Sequence, residues 1–173
     1  MPRAHAKDLL FVSKSDKKTI ASWKAGASLE ERTGYEIDQL RVKATADRIA
    51  LSLTLCLAAK AATRGSNRSY RSATSRAYYS MYHAFRATAF FVHEGDDHEE
   101  HTKLPSGIPG DFPNKAVWEN DLKGARLDRN RADYDPYPKN DLMFRQVALD
   151  LIKKADSLMT IVRPYLRRKG CPL

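Results

Sequence analysis

The chain has 173 residues, enough for one domain with a core of its own, and 42% hydrophobic against 29% charged residues is an ordinary globular balance. Thirty Lys and Arg against 21 Asp and Glu leave a formal charge of +9 and a pI near 9.6, which favours polyanionic partners, nucleic acid ahead of membrane. Two distant cysteines, Cys56 and Cys171, exclude a disulfide framework and a Cys-based zinc motif and fit a reducing, cytoplasmic setting; no apolar stretch is long enough to span a bilayer, and Met1 to Phe11 lacks a signal-type apolar core.

Residues 1–28 show little periodicity and read as an N-terminal extension with a short helix around Lys17 to Lys24. Lys14, Lys17, Lys18 and Lys24 make this stretch basic, as a solvated face or as a phosphate contact. Ser28 before Glu30 and Glu31 predicts a helix start, and Tyr35, Ile37, Leu40, Val42, Ala46, Ile49, Leu51 and Leu53 carry helical spacing to about Ala62. Residues 63–67 form a turn, and a second helix is expected from about Ser69 to His93, ended by Gly95. From Asp96 to Pro113, three prolines and two glycines predict a loop. Its His98 and His101, with His93, lie among five acids, Glu94, Asp96, Asp97, Glu99 and Glu100; the spacing reads as a solvated acidic loop and not as a metal site. A third helix runs from Asn114 toward Arg129, and Pro136 and Pro138 end it. Asn140 or Asp141 caps a last helix to Arg168, with Pro164 in its final turn. No strand alternation appears. The expected fold is all-α, an antiparallel four-helix bundle over residues 29–170 behind the 1–28 extension.

Two segments carry candidate chemistry. The second helix holds Arg76-Ala77-Tyr78-Tyr79-Ser80-Met81-Tyr82-His83-Ala84, with Tyr78, Tyr82 and Phe85 on one face and Tyr79, His83 and Arg86 on the next. The aromatics read as core whose hydroxyls find partners, and His83 as a boundary residue whose near-neutral titration leaves acid–base work open. The other segment is Leu127-Asp128-Arg129-Asn130-Arg131-Ala132-Asp133-Tyr134-Asp135, which reads either as a phosphate-gripping site or as a structural turn with Asp133 and Asp135 paired to arginines.

In this order, with His101-Thr102-Lys103 between them, the two segments resemble the signature helices of HEPN-domain proteins (higher eukaryote and prokaryote nucleotide-binding), over roughly residues 35–168. The resemblance implies the four-helix core, a homodimer, no cofactor, and in many members metal-independent RNA cleavage within toxin–antitoxin or antiphage systems. The family motif is an Arg followed after a short gap by a His. Arg129 and Asn130 match its first positions, and Tyr134 stands where the His is expected. A phenol ionises near pH ~10 and makes a weak base at neutrality. His83 from across the bundle or across the dimer, or Tyr134 beside Arg129 and Arg131, is then the expected replacement. Arg126, Arg131, Lys123 and Arg86 are the expected RNA contacts. Some members pair with a nucleotidyltransferase that modifies a tyrosine near the motif, which here points to Tyr134 or Tyr137. Three readings follow: an RNA-cleaving enzyme; a non-catalytic module binding RNA, a nucleotide, or a partner nucleotidyltransferase or antitoxin; and a structural helical adaptor.

Overall fold

The computed structural model describes residues 6–173, so the first five positions of the stretch screened for a signal segment lie outside the described residues. The chain divides into two compact units, one ending at Leu40 and one spanning Arg41–Leu173. In the first unit, α1 (Ala6–Ser13) is followed by α2 (Lys17–Thr33). The helix start expected at Ser28 is not there. The Asp16 carboxylate accepts from the Thr19 N–H at 2.7 Å and starts α2 twelve residues earlier, so Ser28 lies inside that helix. Gly34 closes α2 in the left-handed conformation (φ 69°) and donates its N–H to Glu30 O at 2.8 Å. α2 buries no side chain.

α3 (Ile37–Ala62) continues into the second unit, which also holds α4 (Tyr70–His93), α5 (Lys115–Tyr134) and α6 (Arg145–Arg168). Two short 3-10 turns, Leu104–Gly107 and Asp141–Phe144, join them. All regular structure among the described residues is helical, and none of these helices is long and apolar enough to cross a membrane.

α4 is the most buried element, because its sequence puts small residues where neighbours must come close. Ala73, Ala77, Ala84 and Ala87 are fully buried, and Tyr78, Met81 and Phe85 fill the space between them. α3 approaches through Ser52, whose hydroxyl donates to Ser80 O at 2.7 Å, and α5 through Trp118, 6.0 Å from Phe85 between ring centroids. α6 lays down a continuous apolar stripe, Ala148, Leu151, Ile152, Ala155, Leu158, Met159, Val162 and Tyr165. Ion pairs at the rim tie Lys60 to Asp156 and Lys154 to Asp121.

One further local expectation is corrected, and one is refined. α5 does not stop near Arg129; it continues to Tyr134, so Arg129-Asn130-Arg131-Ala132-Asp133-Tyr134 is helix and not turn. Its last carbonyls are satisfied by Arg71 of α4, whose Nε donates to Ala132 O at 2.5 Å and whose Nη2 donates to Asp135 O at 2.9 Å. The 96–113 loop exposes Asp97, Glu99 and Glu100 to solvent as expected, but it is anchored at other positions. Leu104, Ile108 and Phe112 recur at i+4 spacing and are all buried, and Asp96 is bound by Arg48 and Arg86. These anchors lay the loop along α4.

Candidate functional site

α5 presents Trp118, Leu122, Ala125, Arg129 and Ala132 inward at three- and four-residue steps. Arg129 therefore stands on the apolar stripe of its helix, and it is 6% exposed. A buried guanidinium needs compensation. The faces of three tyrosines supply part of it: the Arg129 Cζ lies 5.2 Å from the Tyr78 ring centroid, 5.3 Å from Tyr79 and 5.7 Å from Tyr134. Nη1 donates to the Tyr134 hydroxyl at 3.2 Å and lies 3.7 Å from an Asp133 carboxylate oxygen. Nε is buried with no hydrogen-bond partner. Of the three rings, Tyr78 is buried, Tyr79 half-buried and Tyr134 72% exposed, so Arg129 lies nearest to solvent on the Tyr134 side.

The loop delivers His101 to the same cluster. Its Nδ1 is 2.6 Å from the Tyr78 hydroxyl, and its ring stacks on Tyr82 at 4.2 Å. Tyr82 is fixed in turn by donating to Glu99 O and by accepting from Arg86 Nη1 at 3.2 Å. Burial pushes the Tyr78 phenol up to about 12, so it stays protonated and holds the imidazole. Burial, reinforced by the positive charges of Arg129, Arg126 and Arg86, keeps His101 below its ordinary value near 6.5 and neutral at pH 7. His83 is also lowered, by burial first and then by Arg86, Arg48 and His101. Its ring meets Tyr82 at 5.1 Å and Tyr79 at 6.5 Å, and its Nδ1 is buried without a partner.

The structure thus brings together Arg129, Tyr134, His101 and the Tyr78, Tyr79 and Tyr82 rings, with His83 one layer back through Tyr79 and Tyr82. No protein-family model, curated protein or solved structure matches the chain. Among the described residues, no three His, Cys, Asp or Glu side chains are grouped to hold a metal ion.

The remaining expected site residues fall into three sets. On α5, Arg131 and Lys123 are exposed and Arg126 and Asn130 half-buried, and among the described residues none of the three cations forms an ion pair. Arg86 is engaged elsewhere, with Nη2 on Asp96 and on Glu99 (2.9 Å) and Nε on Asp96 (2.9 Å). Tyr137 is 89% exposed beyond the end of α5. His101 is the residue that sequence reasoning missed. The usable signals were the i+4 anchors Leu104, Ile108 and Phe112, which dock the loop, and the charged Arg129 on an otherwise apolar helix stripe.

Proposed function

We propose that the protein is a metal-independent endoribonuclease built on a HEPN-type antiparallel four-helix bundle, in which His101 of the docked loop takes the part of the motif histidine that Tyr134 displaces. The observation that carries this reading is the convergence of a buried arginine with a spare donor and a neutral imidazole, held through a shared tyrosine, Tyr78. RNA cleavage without a metal needs a base for the 2′-hydroxyl, a proton for the departing 5′-oxygen and a cation for the phosphate. His101 takes the 2′-hydroxyl proton, and the 2′-oxygen bonds to phosphorus. The phosphorus–O5′ bond breaks, and the Tyr134 hydroxyl protonates the leaving oxygen. The phenolate regains its proton from the His101 imidazolium through solvent. Arg129 holds the phosphate once Tyr134 turns off its Nη1. The products are a 2′,3′-cyclic phosphate and a 5′-hydroxyl. Arg126, Arg131 and Lys123 supply salt-sensitive backbone contacts, and a homodimer and a toxin–antitoxin or antiphage setting accompany the resemblance.

A mixed RNA pool incubated with chelator tests this reading. Wild type yields 2′,3′-cyclic ends; His101→Ala loses about 10²–10⁴-fold in rate and Arg129→Ala about 10²–10³-fold, while His83→Ala separates a second imidazole from a packing residue. Cleavage unchanged in His101→Ala refutes the assignment. The near-complete burial of Arg129 under tyrosines favours a second reading, a module that binds RNA or a nucleotide and does no chemistry. RNA retention that Arg129→Ala abolishes, with no cleavage by wild type, selects that alternative.

A further inference from the structure

Beside Arg129, where the first turns of α4 meet the last turn of α5, lies a polar cleft of about 480 Å³. Arg71, Ser72, Ser75 and Arg76 line it from α4, and Ala132 and Asp133 from α5. Its walls are rigid. Arg71 bonds two carbonyls at the end of α5, and Asp141 accepts from the Tyr70 and Arg71 N–H groups at 2.6 and 3.1 Å, so the α4 start is already filled and offers no free anion site. Asp133 is held with one oxygen committed: Oδ2 accepts from the Ser75 hydroxyl at 3.2 Å and faces Arg129 Nη1 at 3.7 Å. Both contacts of Asp133 among the described residues are to Oδ2, which leaves Oδ1 open, and exposed Arg76 on the opposite wall has no ion pair among those residues.

Resting on the nuclease reading of the adjacent Arg129, we propose that this cleft is a nucleobase subsite that selects guanine. Single-stranded RNA is read on the Watson–Crick edges of its unstacked bases. A fixed carboxylate offers acceptors alone. Guanine is the one RNA base that sets two adjacent donors, N1–H and N2–H, on that edge, with the O6 acceptor beside them. The donors meet Asp133, and O6 meets Arg76 or the Ser72 hydroxyl. Adenine and cytosine put a ring-nitrogen lone pair against the carboxylate, and uracil flanks its single N–H with two carbonyls. Each of those arrangements sets acceptor against acceptor. Because Asp133 also touches Arg129, the selected base sits one nucleotide's reach from the phosphate that Arg129 grips.

The test is titration of the full-length chain with guanosine, adenosine, cytidine and uridine 5′-monophosphates, followed by NMR, with cleavage mapped on a single-stranded RNA of mixed sequence. Guanosine monophosphate binds about tenfold more tightly than the other three, Asp133→Asn brings it to their level, and Arg76→Ala weakens it several-fold. Thermal melts establish that both variants are folded. Equal binding of the four nucleotides, no guanosine monophosphate binding, or a preference that survives in folded Asp133→Asn overturns the proposal. A preference that Asp133→Asn removes, in a chain that cleaves no RNA, leaves the subsite standing and removes the nuclease reading. Cleavage without bias toward guanine removes the subsite and leaves the nuclease.

Discussion

Replacing Arg129 with Met separates a residue kept for chemistry from one kept for the fold. Arg129 is 6% exposed on the apolar stripe of α5, and its Nε is buried with no partner. An unsatisfied buried donor costs about 1–3 kcal/mol. Against this stand the contacts with Tyr78 and Tyr79, roughly 0.5–2 kcal/mol each, and one hydrogen bond to Tyr134, about 1 kcal/mol. Methionine fills nearly the same length, keeps sulfur–aromatic contact worth about 0.3–1.5 kcal/mol per ring, and leaves no orphan. Exposed Tyr134 turns its hydroxyl to water. These terms nearly cancel and put Arg129→Met within about 1 kcal/mol of wild type, whereas Arg129→Ala opens a cavity and loses about 2–4 kcal/mol. Urea unfolding gives both numbers, and a cleavage assay on the same samples loses activity in both variants. A Met variant destabilised by more than about 1 kcal/mol would show that the guanidinium holds the fold and refute the reasoning.

Three further outcomes test the surroundings of the site. His101→Ala leaves the Tyr78 hydroxyl, buried, without its 2.6 Å partner and removes the ring stacked on Tyr82, costing about 2–4 kcal/mol; a double-mutant cycle with Tyr78→Phe gives about 1–2 kcal/mol of coupling, and strict additivity in urea unfolding rejects the contact. A Cβ added at Gly107 lies 2.6 Å from the His98 Cβ and closer still to Cγ, so Gly107→Ala destabilises by about 1–3 kcal/mol, and a melting temperature equal to wild type contradicts the packing. The folded-state values of His83 and His101 are lowered, so between those values and 6.5 the unfolded chain binds more protons. Their stabilisation is complete above pH 6.5 and declines as pH falls below it. A His83→Gln, His101→Gln double variant flattens that part of the urea-midpoint profile, and an unchanged slope counts against the assignment.

What could be read from the sequence divides along the range of the interactions involved. The all-helical class followed from apolar spacing, and α4 is bounded by local chemistry: the Ser69 hydroxyl accepts from Ser72 N at its start. Even there the closing residue differs, since Glu94 and not Gly95 adopts the left-handed conformation, at φ 58°. Asp16 escaped notice as a cap because the residues it starts lack an apolar stripe, and α2 buries nothing. α5 was ended too early because the support for its last turn, Arg71, comes from 61 residues away in sequence. The same distance problem hid His101. Composition makes 94–100 an acidic loop; the arginines that neutralise it, Arg48 and Arg86, sit on two other helices. Tyr78 and Tyr82 were legible as core aromatics needing hydroxyl partners, while the identity of those partners, His101 and the Glu99 carbonyl, required the tertiary structure.

The loop's attachment also accounts for how a base and a phosphate-binding cation coexist in the proposed site. Arg86 and Arg48 clamp Asp96 at one end of the loop, and Leu104, Ile108 and Phe112 are buried at the other, so His101 is held between two fixed points. Its imidazole is then exposed to burial and to Arg129, Arg126 and Arg86, which together disfavour the imidazolium. In the proposed nuclease this would keep the base deprotonated at neutral pH, at the cost of basicity. A phosphodiester bound at Arg129 brings negative charge into the same space and opposes the arginine field. On the proposed reading the His101 proton affinity would therefore rise as RNA binds, at the step where the imidazole accepts the 2′-hydroxyl proton. Tyr78 serves this role without moving, since in the base-competent tautomer its hydroxyl accepts from Nδ1–H before and after protonation and leaves the Nε2 lone pair to take the proton. In the proposed mechanism Arg129 thus has two effects of opposite timing, holding the base neutral before RNA arrives and yielding that control to the phosphate.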